Sequence, residues 1–102
     1  MATRAHRIIA AGNRVVALAV TPLPLTAASQ PCSMVWVGAP HNDAGVPQNT
    51  TVARLGIVGA GLQTIALATT DIGGMYIPCS DTNDLYVNVG ANGESVDYAI
   101  FG

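Results

Sequence analysis

The sequence predicts a small all-β domain, a β-sandwich or jelly roll of about seven strands, and three observations support this fold class. Short apolar segments alternate with polar residues, turn-forming residues separate them at frequent intervals, and no capping box precedes an amphipathic run. With 102 residues the chain is long enough for one two-layer core and too short for two domains. We expect residues 1–13 to form an extended N-terminal arm and residues 14–102 to form the sandwich.

The clearest strand pattern lies near the C-terminus. Residues 85–89 alternate apolar and polar side chains, and the alternation resumes at residues 96–100. Between them stands Gly90-Ala91-Asn92-Gly93, whose residues are typical of a tight turn. This order predicts a β-hairpin.

Further strands are predicted in the preceding part of the chain. Residues 14–20 form a candidate first strand. The two prolines in residues 22–25 indicate an edge or a bend, because proline cannot donate a ladder hydrogen bond. Residues 33–38 are rich in Val and Trp and favour a central strand. The remaining predicted strands are residues 51–58, 62–68 and 74–78, with a glycine turn at residues 59–61.

The composition predicts an oligomer. Half of the residues are hydrophobic, 10% are charged, there is no lysine, and the mean hydropathy is +0.41. A folded chain of 10.4 kDa exposes roughly 5,400 Å² of surface, and a surface of that size ordinarily carries far more charge. We therefore expect part of the exterior to be buried against further copies or a partner.

The net charge argues against a nucleic-acid partner, and the length of the apolar runs argues against a membrane span. The net charge of −2 provides no basic face for nucleic acid, and no apolar run approaches the roughly 18 residues of a membrane span. Arg4, Arg7 and Arg14 lie in the first fourteen residues, a pattern typical of solvated charge in an arm. The same region imitates a signal peptide, but Pro22 and Pro24 interrupt its apolar run, so secretion is the less favoured interpretation.

Cys32 and Cys79 are the only cysteines in the sequence. They permit one disulfide, but their position at the edges of apolar segments favours two reduced, buried thiols. Zinc binding is not supported, because His6 and His41 stand far from the cysteines in sequence and no pair of ligands has zinc spacing.

Two further motifs imitate binding sites. Residues 55–62 contain the glycines of a dinucleotide-binding turn, but hairpin patterns follow them in place of a βαβ unit. Asp81 and Asp84 begin a stretch like a calcium loop, but Leu85 occupies the position of the third ligand, so we interpret both acids as turn formers. No Gly-x-Ser-x-Gly motif or other nucleophile arrangement is present. The sequence therefore predicts no enzyme and no catalytic, cofactor-binding or metal-binding residue.

Two segments carry a resemblance to a known family. Residues 16–45, which include Ser29-Gln30-Pro31-Cys32-Ser33-Met34-Val35-Trp36-Val37-Gly38-Ala39-Pro40, resemble the opening of small tailed-phage virion proteins of the capsid decoration, or cement, type. Asp84-Leu85-Tyr86-Val87 and Gly93-Glu94-Ser95-Val96-Asp97-Tyr98 stand where the close of those proteins has similar motifs. Residues 46–79 depart from the family pattern, so the resemblance covers part of the chain.

The resemblance implies a β-sandwich subunit on the outer capsid of a virion, made in the host cytoplasm and assembled as a homo-oligomer, typically a trimer. Its partner is the major capsid protein, whose neighbouring copies it clamps by burying apolar area at roughly 25 cal/mol per Å². Arg4 and Arg7 of the arm are expected to pair with acidic capsid residues. The aromatic anchors expected in the core or the interface are Trp36, Tyr86 and Phe101.

Two alternatives remain open. The same sandwich suits a tail, neck or fibre component that acts as a connector or a receptor-binding domain. Glycan binding is disfavoured because the loop at residues 41–49 contains no aromatic residue. The other alternative is a secreted bacterial β-domain held by a disulfide between Cys32 and Cys79.

Overall fold

The computed structural model describes residues 7–56 and 65–102, and it confirms the predicted β-sandwich. Two four-stranded antiparallel sheets pack on each other, and one 3-10 turn lies at Thr82–Asp84. No helix in the described ranges is long and apolar enough to cross a membrane. The strands are β1 (Ile8–Val15), β2 (Leu23–Pro24), β3 (Met34–Gly38), β4 (Ala53–Gly56), β5 (Ile65–Leu67), β6 (Met75–Pro78), β7 (Tyr86–Asn88) and β8 (Ser95–Phe101).

The two sheets have simple strand orders. Sheet I has the order β1-β8-β3-β6, and sheet II has the order β2-β7-β4-β5. β8 lies between β1 and β3, so that Ala99 is opposite both Ala11 of β1 and Trp36 of β3. Because β8 pairs on both sides along most of its length, it organises sheet I.

One apolar core fills the space between the sheets. Every second residue of a strand points to this space, as the pleat of a β-sheet requires. Sheet I contributes Val35, Val37 and Ile100, and sheet II contributes Leu55 and Val87. Each of these five side chains is at most 2% exposed. Removal of this apolar surface from water provides the main driving force for folding.

The last two strands pair differently from the prediction. Val87 and Ile100 are buried as the alternation requires, but β7 belongs to sheet II and β8 to sheet I, so the predicted hairpin is wrong. Gly93, at φ +80°, and Glu94 form a glycine-type β-bulge opposite Val16. Gly93 N–H donates to Val16 O, and Val16 N–H donates to Glu94 O, both at 2.9 Å. The turn residues therefore carry the chain from one sheet to the other.

β1 lies earlier in the chain than the first predicted strand. The sequence predicted a strand over residues 14–20 and an arm over residues 1–13, whereas residues 8–13 belong to β1 and pair with β8. Seven of the eight β1 residues are exposed, so this strand lacks the buried alternation of β3, β7 and β8. Residues 1–6 of the predicted arm lie outside the described residues.

The apolar run after β1 crosses between the sheets instead of extending the strand. Ala19 N–H donates to Asn92 Oδ1 at 2.7 Å, and Val20 N–H donates to Val89 O at 2.9 Å. Val20 has φ +59°, a left-handed conformation that is unfavourable for a β-branched residue. These hydrogen bonds hold the chain in the bend and direct it to β2.

The other strand predictions are confirmed where the structure describes the chain. β3 is central in sheet I, and β2, which contains Pro24, is an edge of sheet II. β4, β5 and β6 fall within the predicted ranges 51–58, 62–68 and 74–78. The turn predicted at residues 59–61 lies outside the described residues.

Polar contacts fix the crossing from β7 to β8. The Glu94 carboxylate accepts hydrogen bonds from the N–H and the hydroxyl of both Thr50 and Thr51. The buried Asn49 side chain accepts from Ser95 N–H at 3.1 Å and donates to Ser95 O at 2.7 Å. Burial raises the pKa of the Glu94 carboxyl, but the hydrogen bonds from the two threonines outweigh it and hold the pKa below its ordinary value.

Glu94→Gln should lower the free energy of unfolding at pH 7 by about 1–2 kcal/mol, because the amide leaves some of the threonine donors unpaired. The pKa of Glu94 is lower in the folded protein, so its contribution is complete above the unfolded pKa of about 4.3 and is lost as the pH falls through the folded pKa. The stabilities of the two proteins should therefore converge in acid. Urea unfolding between pH 7 and pH 3 measures this difference.

Asp43→Asn is the matched control for that substitution. It removes the same charge from an exposed position whose carboxylate accepts no hydrogen bond from the described residues, so stability should change little. Equal losses in the two variants at pH 7 would show that the hydrogen bonds of Glu94 are not the cause.

Candidate interaction surface

The outward side of sheet I is largely apolar. Residues opposite each other on antiparallel strands share a face, and alternate residues of one strand point to opposite faces. Positions next to the buried Val35, Ile77 and Ile100 therefore point outward. We name this surface the sheet I face, and its main residues are Ala11, Met34, Trp36, Tyr76, Ala99 and Phe101.

The Trp36 indole is fixed on this face by the loop before β6. Its Nε1–H donates to Gly73 O at 2.9 Å. A Cβ on Gly38 would stand 2.4 Å from the indole, and one on Gly74 would stand 2.6 Å from it, so glycine at both positions leaves room for the ring. Asp71 Oδ1 accepts from the N–H groups of Gly73 and Gly74 at 3.1 and 3.2 Å, which holds the loop. Trp36 is thus half-buried outside the core.

Tyr76 and Phe101 form an aromatic pair beside Trp36. Their ring centroids are 6.0 Å apart and their planes are inclined at 49°, a favourable arrangement for two aromatic rings. Tyr76 is opposite Trp36 in the ladder and is 62% exposed. Exposed aromatic side chains on a well-ordered apolar surface are typical of protein interfaces.

Polar side chains border the sheet I face at one end. Asn13 Nδ2 donates to Ser95 Oγ and to Asp97 Oδ1, both at 2.9 Å. Asn13 is opposite Asp97 in the ladder, so the two side chains share the outward face. The apolar surface therefore has a polar rim, which is a feature of binding surfaces.

The structure brings two of the five predicted contact residues together. Trp36 and Phe101 share the sheet I face, whereas Tyr86 lies half-buried on the outward side of sheet II. Arg7 is exposed beside the C-terminus, where its C=O accepts a hydrogen bond from Gly102 N–H at 3.0 Å. Arg4 lies outside the described residues.

The sequence reasoning missed Tyr76, the most exposed aromatic residue of the described chain. The available signal was the order Met75-Tyr76-Ile77, in which two apolar residues flank the tyrosine and point inward. In the predicted strand at residues 74–78, this order places Tyr76 on the outward side. The relation of Tyr76 to Trp36 depends on the pairing of β6 with β3, which the pattern alone does not give.

Cys32 and Cys79 are free, half-buried thiols near the ends of β3 and β6. Cys32 Sγ–H donates to Cys79 O at 2.8 Å, and Cys79 Sγ–H donates to Asp81 O at 2.9 Å. Burial, followed by the neighbouring Cys79, raises the pKa of Cys32 to about 11. Since the thiolate is the reactive form, Cys32 is a weak nucleophile at neutral pH.

Asp81 forms a turn, as the sequence predicted. It caps the 3-10 turn by accepting from Asn83 N–H at 2.9 Å, and it also accepts from Gln30 N–H at 3.2 Å and from the Ser29 hydroxyl. These hydrogen bonds, that of Ser29 foremost, lower the pKa of the Asp81 carboxyl. Residues 7–56 and 65–102 contain no group of three His, Cys, Asp or Glu side chains that could hold a metal ion.

No family model matches the sequence, and neither the curated proteins nor the solved structures provide a match.

Gly74→Ala tests whether the loop before β6 fixes Trp36. The added methyl group lies 2.6 Å from the indole, and Gly74 has φ +65°, so we expect the free energy of unfolding to fall by about 2–3 kcal/mol. Trp36 is the only tryptophan, and its fluorescence emission should shift to longer wavelength as the ring is displaced into water.

The matched control is Gly45→Ala. Gly45 has φ +79°, but no atom lies within 4 Å of an added Cβ, so this variant has the backbone cost of about 1–2 kcal/mol without the contact. Its emission should equal that of the unaltered protein. The same emission in Gly74→Ala would mean that the indole does not depend on the loop.

Proposed function

We propose that this chain is a structural phage virion protein, a capsid decoration or cement protein that binds the outer capsid through the sheet I face. The observation that carries the proposal is this apolar face, which has a 62% exposed tyrosine on a chain with only 10% charged residues. The resemblance of residues 16–45 and of the C-terminal motifs to small tailed-phage virion proteins supports the same location and partner.

The size of the sheet I face suits a docking role. Four strands about 4.8 Å apart and about 17 Å long give a face of roughly 320 Å². The largest apolar patches of monomeric proteins are about 300–600 Å² and are often functional. Complete burial of this area would contribute at most about 8 kcal/mol, before the costs of association are subtracted.

Binding of this kind stabilises a capsid without catalysis. A protein that binds the assembled shell and not its separated subunits shifts the equilibrium towards the shell by mass action. A contact that spans two capsid subunits must break before those subunits separate. Because many copies bind to one capsid, a small stabilisation by each copy adds up to a large stabilisation of the particle.

Tyr76→Ser should weaken attachment to capsids about tenfold, since it removes an exposed aromatic anchor from the sheet I face. Capsids assembled from the major capsid protein encoded with this chain are incubated with purified protein, and co-sedimentation measures occupancy. The thermal midpoint of the capsid should rise with unaltered protein and rise less with the variant.

Val46→Ser is the control for the tyrosine variant. Val46 is 51% exposed and lies in the loop at residues 41–49, outside the sheet I face, so occupancy should not change. Equal binding of all three proteins would exclude the sheet I face as the contact. No binding by the unaltered protein would contradict the decoration function itself, and binding to isolated tails instead would favour the connector alternative.

The arm arginines form a separate part of the proposal. Arg4→Ala combined with Arg7→Ala should weaken attachment about fivefold and leave the fold intact, because charge pairs of this kind contribute up to about 1 kcal/mol. The loss should shrink as salt is added. Arg54→Ala, which removes an exposed charge from sheet II, is the control and should have no effect. Unchanged occupancy of the double variant would contradict the role of the arm.

A further inference from the structure

We propose that β1 of one copy pairs antiparallel with β1 of a second copy across a two-fold axis, which joins two copies of sheet I into one continuous eight-stranded sheet. The partner is thus a second copy of this chain, and the contact is the free edge of β1. The inference concerns self-association and goes beyond the capsid contact assigned to the sheet I face.

Comparison of the sheet edges in the described chain singles out β1. The edges are β1 and β6 in sheet I and β2 and β5 in sheet II. Among the edges that described residues bound on both sides, β2 has two residues, one of them Pro24, and β6 has four and ends at Pro78. Short strands and prolines are the means by which proteins block unwanted pairing at an edge.

β1 is neither short nor interrupted by proline, although it contains Arg14 and an irregularity near Ile8. It has eight residues, seven of them exposed, and contains neither proline nor lysine. It pairs with β8 on one side, and no described residue pairs with it on the other. A long and exposed edge of this kind is a template for the addition of another strand.

The free side of β1 presents regularly spaced backbone groups. In an antiparallel ladder, hydrogen-bonded and non-hydrogen-bonded positions alternate. Val16 N–H donates to Glu94 O at 2.9 Å, so Val16 and every second residue before it face β8, as far as the irregularity near Ile8. The residues whose N–H and C=O groups face the free edge are Ala11, Asn13 and Val15.

A second β1 suits this edge because the pairing is self-complementary. With Asn13 opposite Asn13 of the second copy, Ala11 lies opposite Val15 on both sides of the axis, as a two-fold contact requires. Ala11 and Val15 are exposed apolar residues. Apolar pairs opposite each other in a ladder stabilise it.

The charges of the edge also permit two identical strands to meet. Arg14 is the charged residue of β1, and its Nε–H donates to Pro24 O at 2.9 Å, which directs the guanidinium towards sheet II. The Asn13 amide is neutral and bonds to Ser95 and Asp97 of its own sheet. Identical strands with charged outward residues would instead place like charges opposite each other.

The pairing has a consequence for the sheet I face. Adjacent antiparallel strands keep equivalent faces on the same side of a sheet, so the two apolar faces become one continuous surface. A dimer therefore presents two anchors to one partner surface, and the second binds at a high effective concentration.

The contact predicts a reversible dimer. In this register residues 11–15 of the two strands pair, over about 17 Å of edge. Such a contact is small, because each partner of a standard interface buries roughly 800 Å². The mass should therefore rise with concentration from 10.4 kDa towards twice this value, about 21 kDa. The trimer that the family resemblance implies would approach about 31 kDa instead.

Sedimentation equilibrium over a series of concentrations tests the proposal with a matched pair of variants. Val15→Lys places a positive charge beside the free edge, and the dimer should be lost. Val46→Lys makes the same change at a residue of similar exposure, 51% against 50%, and should dimerise as the unaltered protein does. Circular dichroism confirms that both variants are folded.

Amide hydrogen exchange of the unaltered protein provides a test that needs no substitution. On going from dilute to concentrated protein, the amides of Ala11, Asn13 and Val15 should become at least tenfold more protected, while that of Gly12 should not change. A mass of 31 kDa, a monomer at all concentrations, or a dimer without this alternate protection would each overturn the proposal. Capsid binding plays no part in these outcomes.

Discussion

The passage of the chain from one sheet to the other is the constraint on which the rest of the structure depends. β1 ends opposite the bulge formed by Gly93 and Glu94, where the chain coming from β7 enters sheet I. The residues after β1 cross to β2 beside the same segment, through the bond from Val20 N–H to Val89 O. Because Glu94 also holds Thr50, three separate parts of the chain meet here. This junction sets the register of β8, and β8 in turn positions β1 and β3.

One property of β-strands explains both the strands that the sequence predicts correctly and those that it misplaces. Alternation reports which face of a strand is buried, and it identified the inward positions of β7 and β8 correctly. It does not report which strand is the neighbour. The turn residues 90–93 suit a tight hairpin, in which glycine supplies a positive φ. They suit the observed crossing between the sheets equally, because Gly93 has φ +80° there. β1 was misplaced for the opposite reason, since an exposed edge strand has no buried face to detect.

The candidate surface was less predictable than the fold, because it is formed by residues from different strands. The sequence predicts Trp36 and Phe101 as anchors, and the ladder between β3 and β8 brings these two residues to one face. Tyr86 has the same local pattern but belongs to sheet II, so it faces the other way. The ring that completes the face, Tyr76, is contributed by β6, whose pairing with β3 spans some forty residues of sequence. The local sequence pattern predicts which residues point outward, and the order of the strands in the sheets determines which of these residues share a face.

The few acidic residues of the chain have specific structural roles. Three of the six in the sequence, Asp71, Asp81 and Glu94, accept hydrogen bonds at turns and at the sheet crossing, and Asp97 accepts one on the outward side of sheet I. No buried side-chain polar atom in the described ranges lacks a partner. These three carboxylates therefore stabilise the turns and the junction of the sandwich, and on the outward side of sheet I Asp97 lies at the polar rim. Apolar surface of this kind is unfavourable in water, and its removal from water contributes roughly 25 cal/mol per Å².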